Sequence, residues 1–260
     1  MRYRIVDVFS DRPLAGNALC VVLDPCPPET MQAIAREVHL SETTFVTARS
    51  DDGYEARIFT PAGELPFAGH PSVGTAWTMG PGRWTQATSG ATVVIEADEH
   101  GAVMSQPDPD FEELDPTPAI VALRLPDAVG AWQGTAGGTT HLYVATDKAI
   151  DAVVPDMAAI GNVAGGVGAS TLTVFRRLDD RSVHVRAFGP HIGIPEDPGT
   201  GSAAGPVGVL ARRHFGTDVD ITIRQGDEIG RPCRIEVHAV DGDVRVGGRV
   251  TACAEGRFTL

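Results

Sequence analysis

The sequence predicts an α+β protein of two pseudo-symmetric lobes, each a sheet wrapped around one buried helix. Three observations carry this. First, the chain repeats itself: Arg57-Ile58-Phe59-Thr60-Pro61 returns 129 positions later as Arg186-Ala187-Phe188-Gly189-Pro190. The same shift takes Ser41 to Ser170, Thr44 to Thr173 and Pro66 to Pro195. It also carries the apolar set Met31, Ile34, Ala35, Val38 onto Ile160, Val163, Ala164, Val167. Second, each copy holds one segment without charge, residues 72–77 and 202–210, and a helix apolar all round is a buried helix. Third, strand-like runs bounded by turn residues surround both segments.

Residues 3–9 read as a strand closed by a turn at Asp11-Arg12-Pro13, and residues 18–23 as a second strand. Pro27-Pro28-Glu29-Thr30 opens a helix, with Thr30 as its cap. Met31, Ile34, Ala35 and Val38 form its core-facing stripe. Strands at 40–46 and 54–59 follow, joined at Asp51-Asp52-Gly53. A loop spans 60–69, the first buried helix begins near Pro71, and strands at 92–97 and 102–105 finish the lobe. Prolines 107, 109, 116 and 118, interleaved with acids, read as a linker. The expected division is an N-terminal lobe 1–108, a linker 109–118 and a C-terminal lobe 119–260, whose last residues are free to return to the first lobe. In the second copy Leu142-Tyr143-Val144 aligns with Leu19-Cys20-Val21 at a shift of 123. Strands at 170–176, 183–188, 220–224, 233–239 and 244–250 complete it.

With 34 acidic against 21 basic residues, the formal net charge is −13. That disfavours nucleic acid and acidic membrane surfaces as partners. No apolar run reaches the length of a bilayer span, and the first residues read into a strand rather than a signal peptide. Cys20, Cys26, Cys233 and Cys253 form no C-x-x-C pair and lie outside the motifs below. Such thiols fit a reducing cytoplasm and argue against cysteine acid/base chemistry. Lys148 is the single lysine, so there is no Gly-Lys step for a phosphate loop. Schiff-base chemistry would need Lys148, which reads as part of an exposed strand end. The eight histidines lack H-x-x-x-H spacing, and no metal site is expected.

The chemistry is expected where the copies differ. Glu42, in Leu40-Ser41-Glu42-Thr43-Thr44-Phe45, aligns with Thr171; Asp197 aligns with Ala68, within one residue; His70 aligns with Gly199. A carboxylate on an apolar strand either faces outward or needs a partner. Phe67-Ala68-Gly69-His70-Pro71 and Asp197-Pro198-Gly199-Thr200-Gly201-Ser202 both put small residues at a helix N-terminus, where free N–H groups and the helix dipole suit an anion. Two such lobes offer an inter-lobe cleft, which both helix starts could face, for a small carboxylate ligand. Gly199-x-Gly201-x-x-x-Gly205 imitates a dinucleotide fingerprint. It follows an acidic, proline-containing loop rather than the first strand of a βαβ unit, so a nicotinamide site is not expected.

Taken together, these stretches resemble the PhzF-like phenazine-biosynthesis family, which shares the diaminopimelate-epimerase fold. The resemblance rests on Val6-Asp7-Val8-Phe9 with Arg12-Pro13 and Gly16-Asn17, on Leu40 to Phe45, and on Phe67 to Pro71 with Val73-Gly74-Thr75-Ala76. Glu196-Asp197-Pro198 with Thr200-Gly201-Ser202-Ala203-Ala204-Gly205 is the fourth match. It implies curved, mostly antiparallel sheets, a cofactor-free active site between the lobes, and a homodimer. It also implies that Glu42 is the general acid/base, that His70, Asp197 and Ser202 are polar pocket residues, and that Gly69 lines the site. Thr200 and Gly201 fall in the same substrate-binding junction. The epimerases of this fold carry cysteines where this chain has Gly69 and Asp197, which argues against two-cysteine racemisation. Residues 79–83 look shortened relative to the family, and Gly137-Gly138-Thr139-Thr140 replaces a Thr-Gly-apolar step.

The implied reaction is isomerisation by proton relocation, with trans-2,3-dihydro-3-hydroxyanthranilate as prototype substrate. One glutamate would take a proton from one carbon and return it to another on the same face. Such a base works best with its pKa raised towards neutrality, with Phe45 and Leu40 as sources of the apolar surround. His70 and Asp197 would hold an amino or hydroxyl group, and the helix starts at Ser72 and Ser202 a carboxylate. The alternatives are an amino-acid epimerase or racemase, and a non-catalytic carboxylate-binding protein.

Overall fold

A computed structural model describes residues 1–260. The chain divides into two units: residues 1–105 together with 247–260, and residues 106–246.

The first unit contains β1 (Arg2–Val8), β2 (Asn17–Val22), α1 (Pro28–Val38), β3 (Glu42–Arg49), β4 (Gly53–Phe59) and β5 (Glu64–Leu65). Then come α2 (Gly69–Met79), β6 (Gly82–Ala87), β7 (Thr92–Ala97) and β8 (Gly101–Gln106), and the far half of the chain's last strand, β17 (Asp243–Arg257), joins them. β1 pairs antiparallel with β17 and β2, β2 parallel with β3, β3 antiparallel with β4, and β4 parallel with β6. β6, β7 and β8 continue antiparallel, and β8 bonds to β17, so the strands close into a ring. Closure leaves an interior that one helix fills. All of α2 but Trp77 is buried. At Gly74 an added Cβ would lie 2.7 Å from a Val8 methyl and 2.8 Å from a Leu19 methyl, so glycine lets α2 approach β1 and β2. On the sheet's other face, Met31, Ile34 and Ala35 of α1 pack with Cys20, Val22, Phe45 and Phe59. Alternation along the strands separates these two residue sets.

The second unit repeats this plan with β9 (Asp110–Leu114), α3 (Thr117–Leu123), β10 (Gly130–Ala136), β11 (Thr139–Ala145), α4 (Met157–Gly166) and β12 (Leu172–Asp179). β13 (Ser182–Gly189), β14 (Ile194–Asp197), α5 (Gly201–Phe215), β15 (Asp220–Gln225) and β16 (Cys233–Val240) follow, with β16 bonded to the start of β17. The pairings match sense for sense: β9–β10–β11 antiparallel, β11–β12 parallel, β12–β13 antiparallel, β13–β15 parallel, β15–β16 antiparallel. α5 is buried from Gly201 to Ala211 and packs on β10, β11, β12 and β16. Ile160 and Ala164 of α4 pack with Leu142, Val144, Leu172, Val174 and Phe188, as α1 does in the first unit.

Several details depart from the sequence reading. Residues 110–114, expected within a linker, form β9, with Leu114 opposite Ala131 and Phe111 edge-on to Tyr143. The four prolines flank this strand and none lies inside it, so its ladder is unbroken. β6, unassigned in the sequence reading, begins within residues 79–83, the segment that looked shortened, and runs on to Ala87 with Trp84 and Gln86 buried. Thr30 does not cap α1, which starts at Pro28 after Pro27.

The internal alignment also shifts in two places. Thr43 pairs with Phe59 and Leu172 with Phe188, which upholds the shift of 129 for β3 and β4. But Thr43 pairs with Cys20 while Leu172 pairs with Leu142, so β2 maps onto β11 at 122 rather than 123. A one-residue slip exchanges the two faces of a strand, and Cys20 and Leu142 do share the face towards α1 or α4. Further on, Ile58 pairs with Leu65 and Ala187 with Asp197, because the second copy has a 3-10 turn at Pro190–Ile192. From there the shift is 132. Asp197 therefore corresponds to Leu65 rather than Ala68, His70 to Ser202 rather than Gly199, and Pro66 to Pro198 rather than Pro195.

Candidate active site

In the first unit Glu42 opens β3, opposite Leu19 of β2, and its residue surface is 7% exposed. Phe45 belongs to the cluster around α1, with Leu40 packed against that cluster, so neither supplies the apolar surround expected for Glu42. Instead Glu42 shares its face with the start of α2. Its Oε2 lies 3.6 Å from Nε2 of His70, the second residue of that helix, which is 3% exposed.

His70 is held from its other side. Ser41 Oγ donates to Asn17 Oδ1 at 3.0 Å, which turns the amide so that Asn17 Nδ2 meets His70 Nδ1 at 3.2 Å. An amide nitrogen only donates, so Nδ1 accepts. Burial pushes the His70 pKa down to about 3. At neutral pH the ring is uncharged and its one proton is on Nε2, aimed at Glu42. This contact is between a neutral donor and a carboxyl group, not an ion pair.

Gly69 is the first residue of α2, and no side chain caps the helix. Pro71 has no N–H, and Ser72 N–H already bonds to Ala68 O at 3.3 Å. The opening turn therefore presents the N–H groups of Gly69 and His70. Ser72, expected at this opening, is one turn inside: its hydroxyl donates to Ala68 O at 2.8 Å and accepts from Gln86 at 2.7 Å.

In the second unit Asp197 ends β14 and is buried. Its Oδ2 accepts a 2.6 Å hydrogen bond from Thr200 Oγ1. Thr200 is the N-cap residue of α5, but its hydroxyl is turned to Asp197 and not to the helix. Gln225 braces the turn: Nε2 donates to Asp197 O at 2.8 Å and to Thr200 Oγ1 at 2.9 Å, while Oε1 accepts from Thr200 N–H at 3.2 Å. The N–H groups of Gly201 and Ser202 then open α5, as those of Gly69 and His70 open α2. Ser202 Oγ lies 2.9 Å from His141 Nε2, and His141 Nδ1 lies 2.8 Å from Thr171 Oγ1. Burial lowers the His141 pKa to about 4. Burial, aided by the charge of Asp197, raises the thiol of Cys233 well above its usual range, so this cysteine stays protonated.

The structure thus joins Glu42 with His70 and Gly69 in one unit, and Asp197 with Thr200, Gly201 and Ser202 in the other. Asn17, His141 and Gln225 escaped the sequence reading as site residues. Asn17 stood in a matched motif without a role, and His141 appears as a departure only once the shift of 122 aligns it with Leu19. For Gln225 the sequence carries no signal.

The profile of the phenazine biosynthesis-like protein family, PhzC-PhzF, matches residues 6–256. The chain belongs to this family. The trans-2,3-dihydro-3-hydroxyanthranilate isomerase of Pseudomonas aeruginosa is 36% identical to this PhzF-family chain over 290 residues, covering 100% of this chain and 99% of the relative. The enzyme of that name from Pseudomonas fluorescens is 37% identical over 249 residues, or 88% and 87% of the two chains. Among solved structures, a predicted epimerase from Pseudomonas aeruginosa superposes with a TM-score of 0.84 at 30% identity, over 100% of this chain and 99% of that one. The chain is a PhzF-type isomerase.

Proposed function

We propose that this isomerase relocates a proton on a small cyclic or amino carboxylic acid, with Glu42 as the single acid/base. Its prototype substrate is trans-2,3-dihydro-3-hydroxyanthranilate, the compound in the names of its relatives. The observation that carries this reading is the buried carboxyl of Glu42 facing the Nε2–H of a neutral His70. A base must be close to the proton it takes and shielded from competing water. A neutral imidazole beside the carboxylate adds no charge that would weaken it as a base.

Glu42 takes a proton from carbon and becomes the acid that returns it to another carbon on the same face, so the double bonds move. Asp197 holds an amino or hydroxyl group, in a turn that Thr200 and Gln225 keep rigid. Each buried helix opens on N–H groups suited to an anion, at Gly69 in the first unit and at Gly201 with Ser202 in the second, and these are the groups assigned to carboxylate binding. Glu42→Gln tests the reading. It is expected to lower kcat by roughly 10²–10⁴-fold while leaving ligand affinity and melting temperature close to wild type. Solvent deuterium incorporation into the product should fall with it. Wild-type kcat in Glu42→Gln would refute Glu42 as the base.

A further inference from the structure

We infer that His141 is a positioning residue that fixes the hydroxyl of Ser202 for the substrate. This deepens the proposed function and rests on its assignment of Ser202 to substrate binding. His141 is 2% exposed, and both ring nitrogens are engaged, one by Thr171 Oγ1 and one by Ser202 Oγ. Thr171 Oγ1 continues to Thr173 Oγ1 at 2.9 Å. A chain of four polar side chains therefore runs from β12 through β11 to the second residue of α5.

The repeat shows what is unusual here. His141 is the counterpart of Leu19, whose methyl packs beside Gly74 of α2. Ser202 is the counterpart of His70. In the first unit the imidazole stands on the helix and leucine on the strand. In the second the imidazole stands on the strand and a short hydroxyl on the helix. Exchanging a buried leucine for an imidazole costs free energy unless both nitrogens are bonded, and here they are.

Alone, the Ser202 hydroxyl would rotate among three staggered positions. Bonded to His141 it keeps one. Burial holds the ring neutral, so one nitrogen donates and the other accepts. If Nε2 donates, Ser202 retains its own proton to offer a carboxylate; if Nε2 accepts, Ser202 offers lone pairs to an ammonium or hydroxyl. Both arrangements keep Oγ in one place. The ring acts through Ser202, so its loss should appear in substrate binding more than in proton transfer.

The test is a double-variant cycle of Ser202→Ala and His141→Leu, measuring kcat and KM with melting temperature as control. Each single variant should raise KM about tenfold, the scale of one lost hydrogen bond to a charged group, with kcat within about threefold. The double variant should be no worse than the weaker single one. His141→Gln, whose amide can reach Ser202, should recover most of the KM. If His141→Leu does not fold, Thr171→Val removes the ring's other anchor and replaces it in the cycle. A wild-type KM in Ser202→Ala would overturn the substrate-binding assignment and this inference together. A defective Ser202→Ala with a normal His141→Leu, or losses that multiply in the double variant, would overturn this inference alone.

Discussion

His70 Nε2 and Glu42 Oε2 face each other at 3.6 Å, and both residues are buried. Proximity to a carboxylate would ordinarily raise a histidine pKa. Here desolvation dominates, and the value falls to about 3. The neutral ring has consequences for stability. The unfolded chain binds a proton at a histidine near pH 6.5, while the folded chain refuses it until about pH 3 at His70 and about pH 4 at His141. Between those limits the unfolded state holds more protons, so stability is full above pH 6.5 and declines as pH falls. Urea midpoints should therefore drop between pH 7 and pH 5.5, before most carboxylates titrate, and His70→Asn should flatten that drop. The imidazole ¹⁵N resonances of His70 should stay those of a neutral ring down to pH 5. A His70 signal that titrates near pH 6.5 would contradict the assignment.

Asn17 sets which nitrogen of His70 carries the proton, since its Nδ2 donates to Nδ1 while Ser41 holds its oxygen. Asn17→Ala removes that preference and should lower kcat by about tenfold, the scale of a lost buried hydrogen bond. Asn17→Asp should be worse although it is nearly isosteric. A carboxylate accepts, so it would draw the ring proton to Nδ1 and leave Nε2 as a lone pair facing Glu42. The ring's ¹⁵N shifts report the tautomer directly, and kcat for the two variants reports its effect. Equal activity in Asn17→Ala and Asn17→Asp would show that the tautomer does not matter to turnover.

The duplication, both buried helices and both helix-start junctions were legible in the sequence because each leaves a local mark: a repeated run, a stretch without charge, glycines before a helix. What stayed hidden depends on register. The three residues gained at Pro190–Ile192 are invisible to a constant shift, because Pro195 happens to stand where Pro66 would land. Only the pairing of Asp197 with Ala187 shows that His70 and Ser202 occupy the same place in the two copies. β9 was obscured for a related reason: prolines on both sides of a five-residue strand have the composition of a linker. The side chains that brace His70, Asp197 and Ser202, namely Asn17, Gln225 and His141, come from strands distant in sequence, where no spacing rule applies.

The repeat also contains one interaction twice, in different surroundings. Arg57 grips Glu64 through bonds of 2.8 and 2.6 Å, and Arg186 grips Glu196 through bonds of 2.8 and 2.9 Å. Each guanidinium also lies over a phenylalanine, Phe59 or Phe188. The first pair is a third exposed; the second is about a tenth or less exposed, and Arg186 bonds further to Ile150 O and Val153 O. Removing one partner of an exposed pair costs roughly 0–1 kcal/mol, because water replaces it. Removing one partner of a buried pair costs roughly 3–5 kcal/mol, because the other charge is stranded. Arg57→Met should therefore leave the urea midpoint nearly unchanged, and Arg186→Met should lower it sharply. Glu196 precedes Asp197 on β14, so Arg186→Met should also weaken substrate binding under conditions where the protein remains folded. Equal destabilisation by the two variants would mean that burial of the second pair does not set its contribution.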